Sequence, residues 1–145
     1  MQPNSDPLIR IPLLDTKQNY LSGFWRWIEL LAAGQYEAAA TAVLWSNPHG
    51  MQAEALQQRI HTFFGGDLPW YVVVPNERLQ NIINDSADVV LRETGGAGWM
   101  MVQLPLTTTP GDAQNDALHL VGLACTFFVL EFEGNYVLQH EMFHI

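Results

Sequence analysis

The string His140-Glu141-Met142-Phe143-His144 is the one place in this chain where residue types and spacing spell out a chemistry. On a helix, imidazoles at i and i+4 stand one turn apart, about 6 Å. They can then share a zinc ion while the glutamate activates the metal-bound water for hydrolysis. On a strand the same two residues lie about 13 Å apart, at about 3.3 Å per residue. They then point the same way but cannot share a metal. The chemistry turns on the secondary structure of residues 136–145.

Local pattern predicts a strand. Tyr136-Val137-Leu138 follows the turn residues Gly134-Asn135 and the β-rich run Phe127-Phe128-Val129-Leu130, as in a hairpin. The helical alternative has Asn135 as its cap and Leu138, Met142 and Ile145 aligned at i, i+4 and i+7. Zinc peptidases with this string take their third ligand from downstream, and here only Ile145 follows. Upstream His119 or Glu131 would depart from that pattern. A zinc metallopeptidase acting through 140–144 is therefore the remote reading. His140 and His144 are rejected as metal ligands, and no metal or cofactor is expected.

Hairpin register decides what remains. A two-residue turn at Gly134-Asn135 sets Val129 opposite His140. Glu131, Val129, Phe127, Leu138, His140 and Met142 then share a face, with Glu131 and His140 as diagonal neighbours. A carboxylate beside an imidazole is the material of general acid–base catalysis. A three-residue turn instead groups His140 with Phe128, Leu130 and Phe132. Glu131 and His140 are thus the candidate catalytic pair, and with Trp27 and Trp99 they are the candidate pocket residues. A structural histidine packed among apolar side chains is the competing expectation. The five tryptophans read mainly as core and interface, and Asp85, Asp88, Asp112 and Asp116 as turn and cap residues. Gly95, Gly96 and Gly98 precede no helix and form no phosphate loop.

Composition narrows the classes. With 145 residues, 48% of them hydrophobic and 14% charged, the chain reads as one folded domain. Fifteen acidic against six basic residues leave a net charge of −9, Lys17 is the one lysine, and no Lys or Arg follows Arg92. That excludes nucleic acid and anionic membrane surfaces as expected partners. It leaves solubility, or a basic protein partner, as the meaning of the acidity. Cys125, the single cysteine, reads as a buried inert thiol. No signal peptide or membrane span is evident, so a cytoplasmic location is expected.

Residues 1–18, with Pro3, Pro7 and Pro12, read as an irregular arm, and 19–145 as a single domain. Tyr20, Phe24, Trp27, Ile28 and Leu31 mark one face of an amphipathic helix, capped by Ser22 or Asn19 and ended by Gly34. A second helix starts at Gln35, carries Tyr36, Ala40, Val43 and Leu44 on one side, and stops before Asn47-Pro48. A third covers 51–64. Strands are predicted at 70–74, 87–93, 99–106, 118–132 and 136–145, with a short helix at 76–84. Pro105 marks its strand as edge or bulged, and Gly122 marks a bend in a long one. Helices first and an antiparallel meander after give an α+β class.

The segment Ala32-Ala33-Gly34-Gln35-Tyr36-Glu37-Ala38-Ala39 resembles the joint between the first two helices in the nuclear transport factor 2-like (polyketide cyclase or SnoaL-like) superfamily. The resemblance covers roughly 19–145. It implies N-terminal helices packed on a curved, mostly antiparallel sheet, a pocket between them, and dimerisation through the sheet. Some members of that superfamily are isomerases or dehydratases, and others only bind. The leading expectation is a non-catalytic binding or interaction protein, homodimeric, with a basic protein or a small apolar ligand as possible partner. The alternative is a cofactor-independent isomerase- or dehydratase-like enzyme using Glu131 and His140.

Overall fold

A computed structural model of the chain describes residues 7–74, 76–93, 96–108 and 121–144. The first helix, α1 (Lys17–Ala32), starts where the Thr16 hydroxyl accepts from the Asn19 amide at 3.1 Å, so the cap is Thr16 rather than Asn19 or Ser22. It ends in a Schellman turn. Gly34 takes a positive φ of 74°, its amide donates to Leu31 O, and the Gln35 amide reaches Leu30 O at 2.9 Å. The helices α2 (Tyr36–Ala42), α3 (Ala53–Thr62) and α4 (Glu77–Ser86) follow, the last capped by Asn76 through the Leu79 amide.

Among the described residues six strands form one sheet: β1 (Leu44–Trp45), β2 (Tyr71–Val72), β3 (Asp88–Val90), β4 (Gly98–Thr107), β5 (Val121–Phe132) and β6 (Asn135–His144). Their order is β1-β6-β5-β4-β2, with β3 also on β4, and every pair is antiparallel except β1 with β6. The expected class is the observed one: helices packed on a curled, mostly antiparallel sheet.

Two local expectations change. The second helix stops at Ala42, and Leu44 and Trp45, expected on its face, pair instead with Gln139 and His140. Pro105 lies in an interior strand, flanked by β5 on one side and by β2 and β3 on the other. Its carbonyl accepts from the Val73 amide just past the end of β2. The absent proline N–H therefore faces a stretch where the β2 ladder has already ended.

The core lies between α1 and the sheet. Tyr20, Phe24, Trp27, Ile28 and Leu31 are all buried, against Met100, Val102 and Leu104 of β4, Cys125, Phe127 and Val129 of β5, and Leu138 of β6. Burial pushes the Cys125 thiol well above its ordinary pKa, which keeps it unreactive. Gly98 is required at its position: a Cβ there would stand 2.7 Å from the Tyr20 ring. Residues ahead of α1 belong to the same body. Ile9 donates to Ala42 O, and Ile11 exchanges both backbone bonds with Tyr136. Asp112, Asp116, His119, Gly95, Pro75, Ile145 and the expected strand start at 118–120 lie outside the described residues. No described helix is long and apolar enough to cross a membrane.

Candidate functional site

The β5–β6 hairpin turns on Glu133-Gly134, with φ of 52° and 87°. That is the doubly positive geometry of a type I′ turn. It pairs Phe132 with Asn135, Val129 with Leu138 and Phe127 with His140. The turn sits one residue earlier than Gly134-Asn135, so His140 slides two positions along β5, away from Glu131. Beyond Phe127 the register shifts: Thr126 pairs with Met142, leaving Glu141 as the extra residue of a β-bulge. The neighbouring β1 edge holds this kink, with the Ser46 amide donating to His140 O at 3.1 Å and its hydroxyl to Glu141 O at 3.3 Å.

The bulge resolves the H-E-x-x-H string. Residues 140–144 are strand, as expected, yet the two histidines do not share a face. His140 points to the helix side, among Trp27, Trp45, Phe127 and Phe143. His144 pairs with Ala124 on the opposite side. The bulge likewise moves Met142 off the His140 face, where it had been expected. No cluster of three or more His, Cys, Asp or Glu able to hold a metal occurs among the described residues. Protein refolded with zinc should bind it no more tightly before His140→Ala than after, as read by competition with a chromogenic chelator. A site lost in that variant would restore the peptidase reading.

Glu131 faces Tyr136, four residues along β5 from the partner of His140, or about 13 Å. Its carboxylate is exposed and pairs with the Arg92 guanidinium at 2.8 Å. The expected acid–base pair is therefore not assembled. Trp27 does join His140, with ring centroids 5.8 Å apart, but it is wholly buried and its Nε1 donates to Ala39 O at 3.0 Å. Trp99 pairs with Phe128 on the outer face, away from both. Of the four expected pocket residues, the fold brings two together.

His140 is only 4% exposed. Trp45 and Phe143 stand closest, at centroid distances of 4.7 and 4.4 Å. Burial, and secondarily the positive charge of Arg59, push its pKa down to about 3, so the ring is neutral. Its Nε2 is buried without a hydrogen-bond partner among the described residues, a state that costs about 1–3 kcal/mol. The ring lines a cavity of about 210 Å³ with Trp45, Met51, Arg59 and Phe143.

Two further clusters carried no periodic signal in the sequence. Asp15 accepts from the hydroxyls of Tyr20 and Tyr136, both at 2.7 Å. The Arg92 amide donates to the Tyr20 hydroxyl, and the Arg92 guanidinium lies over the Tyr136 ring. The two hydrogen bonds hold the Asp15 carboxyl below its usual pKa, while burial and then Asp15 push Tyr20 up to about 12. This network latches the segment before α1 to the hairpin. Separately, His61 Nε2 stands 3.3 Å from the Tyr36 hydroxyl, with the Tyr71 ring 4.9 Å away. Burial lowers the His61 pKa. No family model, curated protein or solved structure matches the chain.

Proposed function

We propose that this is a non-catalytic binding domain of the nuclear transport factor 2-like kind that pairs with a second copy of itself through the outer face of the sheet. The Gly34-Gln35-Tyr36-Glu37-Ala38 string that carries the resemblance falls at the α1–α2 joint, which supports that placement. The carrying observation is the chemistry of the outer face. Its β4 and β5 positions include Trp99, Met101, Phe128, Leu130 and Phe132, and none of the outward residues of these two strands is charged. None of these five belongs to the core cluster or packs against it, and Phe132 is 39% exposed.

A chain of net charge −9 repels its own copy through most of its surface. An apolar face that carries no charged side chain of β4 or β5, with Arg10 over the Phe132 ring, is the surface on which two copies meet without that cost. A basic partner would instead seek the acidic surface, and its association would weaken with salt. The interior supports a binding role over catalysis, because the space between α1 and the sheet is filled by Phe24, Trp27, Phe127 and Met100, all fully buried.

Light scattering at low and high salt should give twice the 16.3 kDa chain mass. Phe128→Glu should weaken the association at least about 100-fold, because a carboxylate would be left desolvated in the interface. The far-ultraviolet dichroism should be unchanged. A wild type that stays monomeric at every concentration, or a Phe128→Glu variant that stays dimeric, would remove this reading. Binding of an apolar dye to a monomer would favour the small-ligand use of the face.

A further inference from the structure

We infer that the cavity between β1, α3 and β6 binds a small aromatic monocarboxylate, its charge taken by Arg59 and its ring packed between Trp45 and Phe143 beside His140. The site is distinct from the filled interior, for it opens at the sheet edge where β1 lies along the bulge of β6.

Four observations converge there. The His140 imidazole lines the cavity while 4% exposed, and its Nε2 has no hydrogen-bond partner among the described residues. A neutral imidazole offers one donor and one acceptor, so a ligand oxygen is a natural complement. Arg59 is exposed at the rim, and among the described residues no hydrogen bond or ion pair engages it, whereas Arg10 and Arg92 are paired with Glu133 and Glu131. Glu141 also lines the cavity, and its carboxylate, which would oppose an anion, accepts from Gln139 at 3.3 Å. Gln139 alternates with His140 and so belongs to the other face of the strand. Trp45, Met51, Met142 and Phe143 supply apolar wall, while Ser46 and Asn47 add polar groups.

The chemistry selects the ligand. One guanidinium fork matches one carboxylate, and a phosphate dianion would find no second cation among the cavity residues. Aromatic and thioether walls favour a flat apolar body. A cavity of about 210 Å³ falls below the 300–1,000 Å³ typical of drug-sized ligands, which points to a single-ring acid.

Benzoate is the probe and benzamide its uncharged isostere. Titration into the full chain, followed by tryptophan fluorescence and by thermal shift, should saturate with benzoate and run at least about tenfold weaker with benzamide. Arg59→Gln should weaken benzoate by a similar factor without lowering the melting point of the unliganded protein. His140→Phe, which keeps an aromatic ring in the cage, should also weaken it. The same titration on Phe128→Glu separates this site from self-association, because its cavity is intact as a monomer. No saturation with benzoate, equal affinity for benzamide, or full affinity in Arg59→Gln would each overturn the assignment.

Discussion

Trp27→Ala is expected to destabilise the fold by about 3–5 kcal/mol, the range for removing a large aromatic side chain from a packed core. Its surroundings place it there. The residue is fully buried, and its ring meets Phe127 edge-on at 5.4 Å, Trp45 at 6.4 Å and Phe143 in a stacked pair at 6.5 Å. From α1 its ring meets side chains of β1, β5 and β6 together, so the void cannot collapse from a single direction. Its indole N–H also donates to Ala39 O, tying α1 to the seven-residue α2, which is too short to hold itself as a helix. Trp27→Phe keeps much of the apolar contact and loses that bond, so it should cost less, about 1–3 kcal/mol. Urea denaturation with unchanged slope reads both. A loss below about 1 kcal/mol in Trp27→Ala would mean the residue lines a space that water already fills, and the filled-interior argument against catalysis would fall with it.

Tyr20, Phe24, Trp27, Ile28 and Leu31 recur with the helical period, and all five are buried, so α1 and its inner face were legible. The alternation of the hairpin strands was legible too, but with a two- and a three-residue turn both open it left the face of His140 undecided. What escaped lacks a period. β1 is two residues long, too short to break the helical reading of Val43 and Leu44. The bulge at Glu141 inserts one residue without any marker in the string, and it turns His140 and His144 from the same face to opposite faces. The turn was misplaced because composition assigns positive φ to glycine and asparagine, whereas Glu133 takes it. That single step removed the Glu131–His140 pair. Arg59 and Trp45, which share the cavity with His140, lie 81 and 95 residues before it in sequence, and only the register of β1 on β6 joins them.

His140 is expected to make stability fall steadily on mild acidification. In the unfolded chain its imidazole takes a proton near its ordinary pKa of 6.5, while in the fold burial and the Arg59 charge hold it to about 3. Between those values the unfolded state binds more protons, so unfolding becomes easier as pH falls. Each pH unit in that window corresponds to about 1.4 kcal/mol. Relaxation of the cage around a partly protonated ring makes about 2–4 kcal/mol the expected loss from pH 7 to pH 4. Two other groups act in the same direction. His61 is also depressed by burial, and Asp15, held low by its two tyrosine hydroxyls, adds its loss further down, as pH falls below the ordinary carboxylate range. His140→Phe separates these contributions: it should make the curve shallower between pH 6.5 and 4.5, keeping the smaller His61 part, and leave the acid limb set by Asp15. Arg59→Gln removes a positive charge that opposes the imidazolium, so it should shallow the slope without abolishing it. Urea unfolding at several pH values reads all three. A wild-type stability that is level from pH 7 to 4.5, or a His140→Phe slope equal to that of wild type, would show that the ring is protonated in the fold and hydrogen-bonded to a partner it does not have among the described residues.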